Sequence, residues 1–329
     1  STTGFWSLLD VQRAWPTKGS QSVYLQANSS AAEANYSTNV FPTSTGFTFD
    51  NGSVGAGVTM IYIAIRRGPM RTPTSGTSVF DPELSSATTG TKITTNFPVD
   101  LQITQFTALA VGNYAFDRLR GVNTVVSTTA AFPGLYPYST STEQTSANFT
   151  RNWDNTGFAI PPNTSGASAI YWNFRRAPGF FDVVCYTGTG ANRTVNHNLG
   201  VAPELMIVKS RNGNTDWPVY HTSLGATKWV ELNSTAAFST ASTVWNNTDP
   251  TSSVFSVGTN ARTNTNAGTY VAYLFATVAG VSKVGSYTGT GTTKQIDCGF
   301  TGGARFVLIK RTDSTGDWYV WDSARGISS

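Results

Sequence analysis

Histidine and cysteine are nearly missing from this chain, with two of each among 329 residues and only three methionines. His197, His221, Cys185 and Cys298 stand far apart, without the close pairing that zinc sites show, so no metal site is expected. Charge is scarce too. The 22 basic and 18 acidic side chains make up 12% of the chain and are scattered, whereas a nucleic-acid surface clusters its Lys and Arg, so nucleic acid is not an expected partner. No apolar run approaches the roughly 18 residues of a membrane span, and membrane insertion is not expected. The first residues do not read as a signal peptide. No stretch of a dozen residues keeps a helical period without interruption by Gly, Pro or Asn.

What is present is a packed-core composition in a polar coat. Apolar residues make up 39% and aromatics 12%, including nine Trp, which is too much for a disordered chain despite the abundance of Ser, Thr, Asn and Gly. The pentapeptide Tyr-Thr-Gly-Thr-Gly occurs at 186–190 and again at 287–291, an offset of 101 positions. The same offset relates Leu205-Met206-Ile207-Val208-Lys209 to Phe306-Val307-Leu308-Ile309-Lys310, Asp216-Trp217 to Asp317-Trp318, and Gly225 to Gly326. It also relates Ile170, Phe174 and Gly179 to Val271, Phe275 and Gly280. One offset held across so many positions is an internal repeat.

The repeat divides the chain at about 75, 180 and 280. Residues 181–280 form a complete unit. Residues 76–180 form a divergent one, matched through Asp117-Arg118-Leu119-Arg120-Gly121 with Asp322-Ser323-Ala324-Arg325-Gly326 and through Ser127–Ala131 with Asn233–Ala237. Residues 1–75 read as the second half of a unit: 28–32 repeat the small-residue segment, Thr45-Gly46-Phe47 mirrors Thr156-Gly157-Phe158, and the segment 61–67 mirrors 170–176. Residues 281–329 read as the first half of a further unit. Because Thr2–Trp6 resembles Ser314–Trp318, the chain as given begins and stops in mid-unit; it is expected to continue beyond both ends, the alternatives being that its end halves complete one another or are completed by a neighbouring chain.

Within a unit the signals are those of strands. Leu205–Val208 and Phe306–Ile309 are short apolar runs suited to strands buried on both sides, and Ile296, Cys298 and Phe300 alternate with Asp297 and Gly299 as a half-buried strand would. The Gly-Thr-Gly segments read as hairpin turns, since strand-like sequence, not a helix, follows them. The fold class expected is all-β: tandem antiparallel β-sandwich, jelly-roll-like repeats of about 100 residues, each with its own core, strung like beads.

Catalytic material is thin. His197 gives way to Cys298 in the next unit and His221 to Asp322, and the five glutamates, Glu33, Glu83, Glu143, Glu204 and Glu231, form no cluster that recurs with the repeat. Both histidines read as locally satisfied, and both cysteines as buried free thiols. Trp217 and Trp318 could stack on sugars but fit core positions better. Arg66-Arg67 and Arg175-Arg176 end apolar strands, where they would make junction contacts or guard an edge, with acidic polysaccharide as the sharper alternative. No catalytic, cofactor-binding, metal or ligand-binding residue is named, no cofactor is expected, and the chain is not expected to be an enzyme.

The run Asp182–Gly190, together with Pro250–Phe255, Tyr270–Ala276 and Arg305–Asp322, resembles an uncharacterised repeat domain of marine bacteriophage virion structural and tail-fibre-like proteins, including those of cyanophages. The likeness is close from about residue 176 onward. It implies a non-enzymatic virion component, most simply a tail fibre or appendage that contributes to attachment to host-surface glycan. The alternative is a purely architectural part such as a fibre shaft, whisker or capsid decoration. The implied partners are other virion proteins, host polysaccharide or an outer-membrane protein, and further copies of the chain in a homo-oligomer; the implied location is the virion surface.

Overall fold

The computed structural model describes residues 7–8, 22–26, 30, 34–36, 39–42, 47–50, 59–60, 62–65, 71–86, 91–107, 112–121, 132–146, 152–160 and 168–327. Arg66-Arg67, Glu33, Thr2–Trp6, most of the small-residue segment 28–32 and the segment 127–131 lie outside the described residues.

The chain is all-β, with 24 strands, two α-helices of four residues each and a 3-10 turn at Gly76–Ser78 among the described residues. Every pairing between these strands is antiparallel. In the N-terminal part, β1 (Ser7–Leu8), β2 (Ser22–Gln26) and β3 (Ala34–Tyr36) form one sheet, and β4 (Asn39–Pro42) pairs with β5 (Phe47–Asp50).

The next segment contributes β6 (Phe80–Ser85), β7 (Lys92–Thr94), β8 (Leu101–Phe106), β9 (Tyr114–Asp117), β10 (Phe132–Gly134), β11 (Gln144–Ser146), β12 (Asn152–Trp153), β13 (Gly157–Ala159) and β14 (Ala169–Phe174). Its large sheet runs β6-β14-β8-β9 and its small sheet β12-β13-β7, while β10 pairs with β11. The following segment contributes β15 (Phe181–Thr187), β16 (Arg193–Asn196), β17 (Leu205–Ser210), β18 (Pro218–His221), β19 (Lys228–Glu231), β20 (Ser239–Thr240), α1 (Ser242–Trp245), β21 (Val254–Val257), α2 (Ala261–Asn264) and β22 (Thr269–Phe275). Here the large sheet runs β15-β22-β17-β18-β19-β20, and β16 pairs with β21. A hairpin of β23 (Phe306–Lys310) and β24 (Trp318–Asp322) follows.

The central strands explain the layering. Strand β14 is buried at all six positions, and in β22 only the two end residues are partly exposed, because both faces of each strand are covered. Alternation along β22 sends Val271 and Tyr273 to one face and Tyr270, Ala272 and Leu274 to the other. The second face packs on Val195, Phe255 and Val257 of the β16-β21 pair and on Val244 and Trp245 of α1. In the same way Tyr171 and Phe116 pack on Phe158, Trp153 and Phe97. The remaining faces of the two large sheets meet each other: Phe80, Ile170, Trp172 and Phe174 share one core with Phe181, Val183, Ile207 and Tyr273, and Phe306, Trp318 and Val320 pack against it.

This common core replaces the expected string of beads. Apolar side chains on the outer face of a large sheet have no reason to face water when a like face is available, so the segments close on one another. Other expectations are corrected locally. The Thr187–Gly190 turn carries the chain from one sheet to another and is not a hairpin turn, since β15 pairs with β22 and β16 with β21. Gly188 is required there, because a Cβ would stand 2.2 Å from the Thr265 carbonyl oxygen. Residues 296–300 form no strand: the Asp297 carboxylate accepts from the Gly299 amide at 2.7 Å and Gly299 has φ +72°, which bends the backbone. Strand β23 is half-buried along its whole length, not buried on both sides.

Candidate functional site

The densest arrangement of charge lies where residues 76–180 meet residues 181–280. Strand β9 ends at Asp117, and the chain turns back through Gly121, whose φ of +124° favours glycine. Inside this turn the Asp117 carboxylate accepts from the Arg120 amide at 2.9 Å and from Arg120 Nε at 2.5 Å. Arg120 Nη2 donates to the Ala115 carbonyl at 2.9 Å and Nη1 to Glu143 at 3.0 Å. Glu143 also accepts from Arg211 Nε and Nη2 at 3.0 and 2.8 Å. From the neighbouring sheet, the Tyr273 hydroxyl donates to Asp117 Oδ2 at 2.7 Å.

The pattern recurs at the end of β24. The Asp322 carboxylate accepts from the Arg325 amide at 3.0 Å and from its Nε at 2.7 Å, Arg325 Nη2 reaches the Val320 carbonyl at 3.1 Å, and Gly326 has φ +118°. Its external donor is Trp172 Nε1, at 3.0 Å, with the Arg325 guanidinium 5.3 Å over the same ring. Trp172 and Tyr273 stand 101 positions apart, at corresponding places in β14 and β22. At the end of β18 the turn instead carries His221, Leu224 and Gly225, and His221 Nδ1 accepts from the Ser223 amide at 3.1 Å.

These environments settle what the groups can do. Burial by itself would lower the Arg120 guanidinium, but Asp117, Tyr273 and Glu143 hold it well above its ordinary value. Burial would raise Glu143, and the two guanidiniums beside it overcome that and hold it below the ordinary carboxylate range. Burial pushes the Cys185 thiol up to about 12. A carboxylate locked between two arginines has no proton to give near neutrality, and a thiol at that value is no nucleophile. The cluster ties one sheet to its neighbour.

The residues singled out in the sequence fall mostly into structural places. Trp217 is 1% exposed and donates through Nε1 to the Tyr136 and Ser139 carbonyls, so it is core and cannot stack on a sugar. Trp318 is half-buried and donates to the Glu231 carbonyl. His197 is buried between the Thr251 carbonyl and the Leu199 amide, and burial lowers its pKa. Arg176 pairs with Asp182 at 2.6 Å, a junction contact. Both cysteines are free as expected, but Cys298 is partly exposed in a loop.

Among the described residues, no group of three His, Cys, Asp or Glu side chains could hold a metal ion, and no helix is long and apolar enough to cross a membrane. A cleft where Thr72–Thr74, Pro178–Gly179 and Thr277–Ala279 converge carries no titratable side chain in its lining.

Sequence reasoning matched Asp117–Gly121 with Asp322–Gly326 but missed the ion pair inside each and the Tyr273 and Trp172 donors. The Asp-x-x-Arg-Gly spacing was the available signal, because a turn closed by glycine brings residues three apart together. It also missed Glu83, whose pKa is raised to about 7 by burial and by the adjacent Asp81 carboxyl.

Residues 83–329 match a family described as a domain of unknown function, DUF7483, and the chain belongs to that family. No curated protein and no solved structure matches it.

Proposed function

We propose that the chain is a non-enzymatic structural protein made of tandem β-sandwich, jelly-roll-like units of about 100 residues. In this reading it serves a bacteriophage virion as part of a tail fibre or other appendage and contributes to attachment to host-surface glycan. The observation that carries the structural half is a repeated strand order and register. Strands β6-β14-β8-β9 correspond to β15-β22-β17-β18; Phe174 stands opposite Phe80 and Leu101, and Phe275 opposite Phe181 and Leu205. Buried ion pairs that tie one unit to the next suit a part that must keep its shape outside a cell.

The virion half rests on the resemblance of 182–190, 250–255, 270–276 and 305–322 to phage structural proteins. In this reading the partners are other virion proteins, copies of the same chain, and a host polysaccharide or outer-membrane protein. The polar, sparsely charged surface makes contacts that depend little on salt. A purely architectural role is the second reading. It is favoured by the stacked pair Tyr319 and Trp321, 5.7 Å apart and 52% and 46% exposed, since exposed aromatics belong to protein interfaces.

Gold-labelled antibody against residues 181–280, imaged on intact virions, separates these readings. Gold on tail appendages is the expected result and justifies glycan screens. Gold over the capsid supports the architectural reading, and unlabelled virions sink both.

A further inference from the structure

Strand β23 is the counterpart of β8 and β17, yet its pairing differs. Each of those strands lies between a hairpin partner and a central strand, β14 or β22; among the described residues β23 pairs only with β24. An open edge beside a shared core calls for a strand. Elsewhere, the segment 59–65 repeats the central-strand sequence, with Ile63 where β14 has Trp172 and β22 has Tyr273, and Ile65 where they have Phe174 and Phe275. Among the described residues, 59–60 and 62–65 join no strand, and Met60, Tyr62, Ile63 and Ile65 are 56%, 75%, 86% and 83% exposed. That is a strand's apolar content left in water.

We propose that residues 59–65 add to the open edge of β23 within the same chain, as the third central strand around the common core. The inference rests on the repeat reading above, and three observations carry it further. The first is a ring contact. Phe47 lies 5.0 Å from Tyr62, and their counterparts Phe158 and Tyr171 are also 5.0 Å apart, so the segment already has the companion that covers the outer face of β14.

The second is the state of the core. Phe80 with Phe174 and Phe181 with Phe275 form two ring pairs at 4.8 and 4.7 Å, and Phe306 of β23 joins them at 5.3 Å from Phe80. In the register of β8 and β17, Ile65 falls opposite Phe306, as Phe174 falls opposite Leu101 and Phe275 opposite Leu205, and it adds an apolar side chain beside that ring.

The third is a matched pair of substitutions. Asp117 receives a hydrogen bond from Tyr273 and Asp322 one from Trp172. Taken in order around the core, the remaining turn, after β18, receives the residue at the Ile63 position. Isoleucine has no donor, and at that turn the aspartate and arginine are replaced by His221 and Leu224. An unpaired aspartate there would be costly, and the chain has none.

The tether selects the same chain over a second copy. Six residues separate Ile65 from Thr72, a reach of roughly 24 Å when extended. Thr72 sits in the cleft with Pro178–Gly179, which follows β14, and with Thr277–Ala279, which follows β22. A segment on so short a tether has a higher effective concentration around this cleft than a second copy would have.

The test uses the full chain with Cys185→Ser and Cys298→Ser, so that no native thiol competes. Ala64→Cys with Val307→Cys places cysteines opposite each other in the proposed register. Val208→Cys with Ala272→Cys does the same for a pair seen across β17 and β22. Under mild oxidation both pairs are expected to lock as monomers, read by mass and non-reducing electrophoresis, while Tyr62→Cys with Val307→Cys, slipped by two residues, does not lock. If only Val208 with Ala272 locks, the docking is wrong and the repeat reading stands. If neither locks, the register and the inference fail together. A disulfide-linked dimer from Ala64 with Val307 assigns the strand to a second copy and overturns the proposal. On the otherwise unmodified chain, amide exchange over residues 60–65 should be about ten-fold slower than in an Ile63→Pro variant; equal rates overturn it without any cysteine.

Discussion

Replacing Tyr273 by Phe removes one oxygen from the interior and nothing else. That oxygen donates at 2.7 Å to Asp117, a carboxylate whose side chain is 0% exposed and which also faces Arg120. A hydrogen bond to a buried charge contributes about 1.5–3 kcal/mol, and losing one oxygen leaves no cavity to speak of, so Tyr273→Phe should cost about 2 kcal/mol. Asp117→Asn should cost more, about 3–5 kcal/mol, because the Arg120 guanidinium stays buried without its closest counter-charge. The two residues touch, so the double variant should fall short of the sum by more than about 1 kcal/mol. Urea unfolding of the full chain, followed by tryptophan fluorescence and by circular dichroism, measures all three values. Because the bond joins neighbouring sheets, both probes should report one transition. A Tyr273→Phe chain within about 0.5 kcal/mol of the parent, or an early transition untouched by it, would refute the view that this cluster holds the sheets together.

Glu83 has a pKa raised from 4.5 to about 7, so the folded chain holds a proton that the unfolded chain releases, and stability should fall as pH rises from about 4.5 to 7. Glu83 is partly exposed and screening reduces the effect to about 1 kcal/mol; Glu83→Gln should flatten the dependence of Tm over this range. Glu143 behaves oppositely. Its pKa is held down, so its contribution is present above the ordinary carboxylate range and is lost as pH falls below it; Glu143→Gln should be less stable at neutral pH and lose less stability on acidification, as Tm against pH will report. Gly157→Ala should cost several kcal/mol, about the scale of a core defect, because its φ is +153° and a Cβ would stand 1.9 Å from the Ile93 carbonyl oxygen, as denaturant midpoints will report. Trp217→Ala should cost about 3–5 kcal/mol.

The plainest signal in the sequence was the 101-residue offset, and its physical reason lies in the pairing. Ile170 and Val271 keep the 101-residue offset because each sits in a strand hydrogen-bonded on both edges and covered on both faces, where one inserted residue would exchange the side chains of two differently packed cores. All-β character was legible for the same reason. The shared core was not, because a face that packs on another sheet and a face that packs on its own small sheet read alike: Val271 and Leu274 are both apolar. The strand assigned to 296–300 failed because alternation is necessary and not sufficient. Its counterpart, β16, is held by β21, while Asp297 and Gly299 close a turn.

The polar cluster was half legible, and the half that was missed explains how the units differ. Asp117–Gly121 and Asp322–Gly326 share a turn whose arginine satisfies its own aspartate and a carbonyl two residues before it. In each turn the carboxylate oxygen that accepts from the arginine Nε takes a second donor from a different sheet, Tyr273 in one case and Trp172 in the other. The aspartate and its donor are therefore bound to change together, although more than 140 residues of chain separate them. A turn without an aspartate needs no donor, and the His221–Gly225 turn satisfies itself through Ser223.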